Sequence, residues 1–187
     1  MRLLAAAICL PLTALAAEPV AIARIRAKYQ SLLERAQQEP DLRHVVVSRR
    51  IVPGIGEQTK TMEFFTSETD DEEPKTGAPR TRRTLERVVL SWNIGPRPMK
   101  TDLLFLDGAL AFAHLIDTSG ACQGGETRLY FEKAALLRAR TSPEPDCSTP
   151  AGTQRDATFT KADKDLARAV QAEALERLAW WTRLEAL

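Results

Sequence analysis

The residues of this chain that could perform acid–base chemistry are few, beginning with two histidines, His44 and His114. His44 opens a predicted strand and is expected near the surface. His114 alternates with Leu110, Phe112 and Ile116, so it shares the apolar face of a predicted strand. A lone histidine on such a face is more often a hydrogen-bonded core residue than a general base. We therefore keep His114 as a catalytic candidate only under an alternative hypothesis, in which the protein is a hydrolase.

Asp117 is the second candidate under that alternative. The sequence Asp117-Thr118-Ser119-Gly120 is similar to the aspartic-protease loop, in which Asp-Thr-Gly or Asp-Ser-Gly places a catalytic carboxylate. Here Ser119 separates Thr118 from Gly120, so the glycine falls one position late for that turn. No second copy of the motif exists in the chain, although a homodimer could supply one. A strand ending in a turn is the preferred interpretation of Asp117.

Motifs for covalent, phosphate or cofactor chemistry are absent from the sequence. It contains no G-x-S-x-G, phosphate loop, H-E-x-x-H or dinucleotide fingerprint. Five acidic residues within 68–73 lack the alternate spacing and central glycine of an EF-hand loop. We expect no cofactor, no metal site and, on balance, no enzyme.

Candidate binding residues are three arginines and a pair of tryptophans. Arg128, Arg138 and Arg140 lie in one predicted hairpin and could form an anion-binding patch. By alternation, Arg138 and Arg140 share a face while Arg128 takes the other, so the patch is expected to be partial. Trp180 and Trp181 are adjacent on a predicted helix and differ by about 100°. One is expected in the core, and the other at its edge or in a small contact site.

The charge balance argues against a nucleic-acid partner. The 187 residues include 26 Lys or Arg and 25 Asp or Glu, whereas polyanion binders carry a clear basic excess. The apolar fraction of 44% argues against global disorder.

Residues 1–17 have the layout of a secretory signal peptide. Met1-Arg2 is a short charged start, thirteen mostly apolar residues follow at 3–15, and small residues precede a cleavage point near Ala16-Ala17. The apolar run is shorter than the roughly 20 residues that span a bilayer. We expect a periplasmic or secreted protein that does not span the membrane, with one domain over 18–187.

Export would place the cysteines in an oxidising compartment, where they can form a disulfide. Cys9 is lost with the leader, which leaves Cys122 and Cys147. An even pair in an oxidising compartment predicts one disulfide. The two cysteines flank the second of two predicted hairpins, and the open end of a hairpin brings its flanks together.

Two helices and a series of strands must position these residues. Amphipathic helices are predicted at 19–38 and from 161 to about 187, and a mobile, solvated charged loop at 67–83. Strands are predicted at 44–48, 62–66, 85–92, 103–106, 109–117, 127–132 and 135–141. The fold class is α+β, with an antiparallel, meandering sheet of about 6–7 strands and both helices packed across one face. The 103–106 strand is apolar on both sides, so we expect it to be central and covered on both faces.

Two hairpins repeat at an offset of 26 residues. Their sequences are Phe105-Leu106-Asp107-Gly108-Ala109-Leu110 and Phe131-Glu132-Lys133-Ala134-Ala135-Leu136. A two-residue turn in each would place Phe105 opposite Leu110 and Phe131 opposite Leu136.

A resemblance to known proteins rests on three features of the sequence. They are the two hairpins, the opening helix with Ile-Arg-Ala-Lys-Tyr-Gln at 25–30, and the closing amphipathic helix. Together they resemble uncharacterised bacterial secreted or periplasmic α+β proteins, in which the hairpins read Tyr-Phe-Asp-x-Gly-x-Leu. The resemblance implies a fold and a location, and no activity. The favoured function is a non-catalytic exported domain that binds a protein or small ligand in the cell envelope. The alternative is a periplasmic hydrolase using Asp117 or His114.

Overall fold

The computed structural model describes residues 18–39, 43–54, 56–72, 77–94, 97–117, 125–143 and 152–185. These residues form two helices, α1 (Val20–Gln38) and α2 (Lys161–Glu185). They also form eight strands: β1 (Arg43–Val52), β2 (Gly56–Glu72), β3 (Pro79–Ile94), β4 (Arg97–Leu106), β5 (Ala109–Asp117), β6 (Gly125–Glu132), β7 (Ala135–Pro143) and β8 (Thr153–Arg155). The predicted leader and the predicted Cys122–Cys147 bridge lie outside the described residues.

The strands make one antiparallel sheet in which each strand pairs with the next in the chain. The predicted α+β meander is confirmed, and its strand number was slightly low. The strand without a sequence prediction is β8, whose three residues Thr-Gln-Arg have no apolar alternation to indicate a strand. Neither described helix has the length and apolar character needed to cross a bilayer.

The charged segment at 67–83 differs from the loop that its composition predicted. Residues 67–72 extend β2 and residues 79–83 belong to β3, with Glu68 opposite Arg83, while residues 73–76 lie outside the described ranges. Arg83 Nε lies 2.8 Å from Glu68 Oε1. Opposite charges that face each other across a ladder favour pairing even where β-propensity is low.

The two helices pack on opposite faces of the sheet, which corrects the expectation that both cover one face. The α1 cluster contains the buried apolar residues Ile22, Ile25, Leu32, Leu104, Ala111, Phe112 and Tyr130. The larger α2 cluster includes Leu103, Phe105, Leu129, Phe131, Val170 and Trp181. Successive residues of β4 thus alternate between the clusters, and the prediction of a central strand buried on both faces is confirmed.

The hairpin repeat is confirmed down to its register. Phe105 pairs with Leu110 across a turn at 107–108, and Phe131 pairs with Leu136 across a turn at 133–134. All four turn residues have positive φ, from 48° at Lys133 to 76° at Gly108. This is the backbone of a type I′ turn, whose twist matches that of the strands.

Each of these hairpins also contains a β-bulge at the equivalent position. Ala111 in β5 and Leu137 in β7 are skipped in the register, and they too are 26 residues apart. Glu86 is skipped in the same way in β3. A bulge bends its strand and interrupts the alternation of side chains.

The bulges direct additional side chains towards α1. Ala111 and its neighbour Phe112 both belong to the α1 cluster. Glu86 receives Lys28 Nζ and Arg35 Nη2, each at 2.6 Å. The bulged residues therefore help to seat α1 on the sheet.

Candidate functional site

A cavity of about 520 Å³ lies between α1 and the strands β5 and β6. Its principal side chains come from α1 (Ile25, Arg26, Tyr29), β5 (Phe112, His114) and β6 (Arg128, Tyr130). Strand pairing explains the sheet side of this arrangement, since Phe112 lies opposite Tyr130 and His114 opposite Arg128. Directly opposed residues project from the same face of a sheet. We call this space the α1 cavity.

The inner wall of the α1 cavity is aromatic. The rings of Tyr29 and Phe112 meet edge to face with centroids 5.1 Å apart, and those of Phe112 and Tyr130 are 4.9 Å apart. The Arg26 guanidinium lies 5.7 Å from the centre of the Tyr130 ring. Such contacts hold aromatic rings in defined orientations. Phe112 and Tyr130 are already buried, whereas Tyr29 remains partly exposed.

The buried ion pair between Asp102 and Arg87 contacts this wall through Tyr29. Asp102 is fully buried and accepts two hydrogen bonds from Arg87, Nε to Oδ1 at 2.8 Å and Nη2 to Oδ2 at 2.6 Å. Tyr29 Oη donates to Asp102 Oδ2 at 2.7 Å. Burial, followed by the Asp102 carboxylate, raises the pKa of Tyr29. The Tyr29 hydroxyl is thus a fixed neutral donor, and its ring is held at the cavity wall.

His114 is the titratable group inside the cavity. Its side chain is 14% exposed, and Nε2 lies 3.4 Å from Glu126 Oε2. Nε2 is buried and has no hydrogen bond of satisfactory geometry within the described part of the chain. Burial, the largest influence, lowers the pKa of His114, and Arg128 lowers it further against the opposing effects of Glu126 and Asp102. The ring is therefore neutral near pH 7.

Two arginines line the more open part of the cavity. Arg128 Nη2 lies 2.6 Å from Glu126 Oε2, and Arg26 Nη1 lies 2.8 Å from Glu18 Oε1. The side chains of both glutamates are about one-third exposed. Exposed ion pairs of this kind contribute little to stability, so the arginines remain able to exchange partners.

The three predicted arginines do not form one site, although they share one face. Arg128 pairs with Arg140, and Tyr130 pairs with Arg138. The expectation that Arg128 lies on the opposite face is wrong, because the bulge at Leu137 shifts the register by one residue and reverses the alternation beyond it.

Arg128 alone of the three lines the α1 cavity. Arg138 is buried, with Nε 2.5 Å from Asp156 Oδ1 and Nη1 2.8 Å from Glu18 Oε1. Arg138 therefore ties the start of α1 to the segment after β8. Arg140 is exposed and lies opposite Gln154 of β8.

The tryptophans lie on the other face of the sheet. Trp180 and Trp181 both stack on Phe64, with ring centroids 5.0 and 5.8 Å from it. Trp181 is buried and its ring is 5.3 Å from that of His44, while Trp180 is partly buried at the edge of the α2 cluster. Their packing belongs to the α2 cluster and is separate from the α1 cavity.

Asp117 and His114 are not brought together. They are three residues apart on a stretch of β5 with regular pairing, so their side chains project to opposite faces. Asp117 Oδ1 is buried without a hydrogen bond in the described residues. The continuation of the protease-like motif at 118–120 lies outside them.

Sequence reasoning missed Arg26, Tyr29, Phe112 and Tyr130 as functional candidates. Phe112 was placed only on the apolar face of a predicted strand, and Tyr29 only within the predicted opening helix. A usable signal was the presence of tyrosines on these faces, because a buried tyrosine seeks a polar partner. Within the described ranges, no group of three or more His, Cys, Asp or Glu side chains is arranged to hold a metal ion.

Comparisons of the chain with protein-family models, with curated proteins and with solved structures find no match.

Proposed function

We propose that this chain is an exported, non-catalytic binding protein that holds a small amphipathic molecule in the α1 cavity. The observation that carries the proposal is the cavity itself, in which an aromatic wall and a few polar groups converge. Export is inferred from the leader at residues 1–17.

The dimensions and lining of the cavity support a small ligand. Its volume of about 520 Å³ falls within the range of roughly 300–1,000 Å³ that is typical of small-molecule sites. The partly buried Tyr29, with the small exposed parts of Phe112 and Tyr130, offers apolar surface to a hydrocarbon or aromatic body. Arg26, His114 and Arg128 offer polar contacts that would orient it.

Preorganisation supports binding as well. Arg87 and Tyr29 are fixed by Asp102, and the α1 helix is held by the ion pairs of Glu86. A wall that is already ordered costs little conformational entropy when a ligand arrives.

The hydrolase alternative receives less support from the site. Among the described residues that line the α1 cavity there is no serine, threonine or cysteine, so none of them places a hydroxyl or thiol nucleophile beside His114. Asp117 projects from the other face. A turnover abolished by His114→Ala or Asp117→Ala would favour the hydrolase and contradict the binding proposal.

The proposal is tested with the uncharged fluorophore N-phenyl-1-naphthylamine, which brightens in apolar sites. Ala27 is exposed at the cavity and lies on α1. We expect saturable binding to the wild type and a loss of about tenfold or more in affinity for Ala27→Trp, because the indole occupies ligand space.

The matched control is Ala23→Trp, which places the same side chain at an exposed α1 position outside the cavity lining. It should bind the fluorophore like the wild type. Absence of saturable binding to the wild type, or equal loss in both variants, would contradict the proposal.

A further inference from the structure

One corner of the α1 cavity has the geometry of an anion site, and it is occupied by a carboxylate of the chain itself. Glu126 Oε2 lies 2.6 Å from Arg128 Nη2 and 3.4 Å from His114 Nε2. A single carboxylate oxygen is therefore placed between a guanidinium and an imidazole nitrogen. The first contact has the length of a charge-assisted hydrogen bond, whereas the second lacks hydrogen-bond geometry.

The backbone explains why these three side chains converge. Glu126 and Arg128 are two residues apart on β6 and so project from one face, and His114 is directly opposite Arg128 on β5. Strand register therefore places Arg128 and His114 side by side on one face of the sheet, and this placement does not depend on Glu126.

Glu126 is poorly suited to keep this position against a competitor. Its side chain is 38% exposed, and its contacts within the described residues are those to Arg128 and His114. Exposed ion pairs between flexible side chains are weak because they forfeit rotamer entropy and are well solvated. An outside anion with an apolar body could bury that body against the aromatic wall, which Glu126 cannot do.

We propose that Arg128 and His114 form an anion subsite of the α1 cavity, and that the ligand is a small amphipathic acid whose carboxylate or sulfonate displaces Glu126. This inference rests on the proposed function and specifies its ligand class. Arg128 supplies the charge, and His114 Nε2, which has no hydrogen-bond partner among the described residues, supplies a second donor when that nitrogen carries the proton. Glu126 acts as an internal competitor that is released into solvent when the ligand binds.

The test compares two fluorophores with the same aromatic body. 8-Anilinonaphthalene-1-sulfonate carries one sulfonate, and N-phenyl-1-naphthylamine carries none. We expect Arg128→Gln to weaken binding of the sulfonate about tenfold or more and Glu126→Gln to strengthen it several-fold. In both variants the affinity for the neutral fluorophore should change less than the affinity for the sulfonate, and saturable binding of the neutral fluorophore shows that the variants are folded.

Two control variants separate the subsite from the overall charge of the protein. Glu132→Gln neutralises an exposed glutamate on the same strand, and Arg168→Gln neutralises an exposed arginine on α2. Neither residue lines the α1 cavity. Both variants should bind the two fluorophores like the wild type.

The outcomes distinguish this inference from the proposed function. Suppose that the neutral fluorophore binds, and that Arg128→Gln and Glu126→Gln change the affinity for the sulfonate no more than the affinity for the neutral fluorophore. The anion subsite is then wrong, and the cavity proposal stands. If neither fluorophore binds the wild type saturably, the cavity proposal fails and the subsite fails with it. Equal changes in the control variants would also overturn the subsite.

Discussion

Asp102 is the residue on which the floor of the α1 cavity depends. It is fully buried, yet its two oxygens accept hydrogen bonds from Arg87 and Tyr29. A buried charge is tolerated only when it is paired and hydrogen-bonded. Loss of the carboxylate would leave the Arg87 guanidinium buried without its counter-ion.

We therefore expect Asp102→Asn to lower the free energy of unfolding by about 3–5 kcal/mol. The matched control is Asp107→Asn, which makes the same chemical change at an exposed ion pair with Arg24. Asparagine also suits the positive φ at that turn position, so the control should unfold like the wild type. Urea titrations of the three proteins make the comparison, and a small, equal effect in both variants would show that the buried pair is not critical.

His114 gives a second prediction at the residue scale, because its pKa lies below the usual value of about 6.5. Burial disfavours the imidazolium, and the charged groups around the ring are Glu126 and Arg128 on β6, Asp102 on β4 and Arg26 on α1. Between the folded and unfolded pKa values, the unfolded chain binds more protons. The contribution of His114 to stability therefore falls as the pH drops through about 6.5 and levels off below the folded pKa.

NMR titration of the imidazole signals checks this prediction. The signal lost in His114→Gln should titrate with a midpoint below about 6.5 in the folded protein. The stability difference between wild type and His114→Gln should shift against the wild type between pH 7.5 and pH 5. A midpoint above the usual value would show that Glu126, rather than burial, dominates the environment of the ring.

At the scale of elements, the two repeated hairpins make the same turn from different residues. Asp107 and Gly108 form the first turn, and Lys133 and Ala134 form the second, all with positive φ. For an L-residue with a side chain this backbone costs roughly 1–2 kcal/mol, whereas glycine adopts it freely. The second turn therefore carries strain that the first avoids at Gly108.

Reciprocal substitutions test this difference. Gly108→Ala should destabilise the protein by about 1 kcal/mol through the backbone alone, since a Cβ there would meet no atom within 4 Å. Ala134→Gly should stabilise it by about 0.5–1 kcal/mol, because relief of strain exceeds the extra entropy lost by glycine. Thermal unfolding should show shifts of opposite sign, and destabilisation by Ala134→Gly would contradict the assignment of strain to the second turn.

Much at this scale follows from the sequence. Apolar periodicity predicted both helices, and the repeat predicted both hairpin registers near their turns. At the start of α2, Thr160 and Asp163 form a capping box, with Thr160 N–H donating to Asp163 Oδ2 at 2.7 Å and Asp163 N–H to Thr160 Oγ1 at 3.1 Å.

The bulges could not be predicted in the same way. Ala111 and Leu137 are apolar residues in apolar strands, so a one-residue insertion leaves no mark on the pattern. The expectation that Arg128 lies on the face opposite Arg138 and Arg140 was wrong for this reason.

At the scale of the whole molecule, the sheet separates two hydrophobic cores, the α1 cluster and the α2 cluster. Leu103 and Phe105 face α2, while Leu104 and Leu106 face α1. The sequence predicted that this strand is covered on both sides, which requires something on each face. The sequence could not predict which helix covers which face of the sheet. Amphipathic periodicity shows which side of a helix is buried, but it does not show the surface against which that side packs. Of the two described helices, only α1 packs on its face of the sheet, and the α1 cavity lies between it and the strands β5 and β6.

The last prediction concerns a covalent link between chain segments on either side of β6 and β7. Gly125 pairs with Pro143 at the open end of this hairpin, and Cys122 and Cys147 lie a few residues beyond these two positions. The two strand ends that lead to these cysteines are therefore neighbours, which favours a bridge between them. In the chain-entropy model, a disulfide that closes a loop of this size raises the free energy of unfolding by roughly 3–4 kcal/mol.

Reduction with dithiothreitol should lower the free energy of unfolding of the exported protein by about that amount. A double variant, Cys122→Ala with Cys147→Ala, should start at the lower stability and be insensitive to dithiothreitol. Mass spectrometry after alkylation in denaturant without reductant supplies the direct measurement, and two alkylated cysteines in the exported protein would refute the bridge.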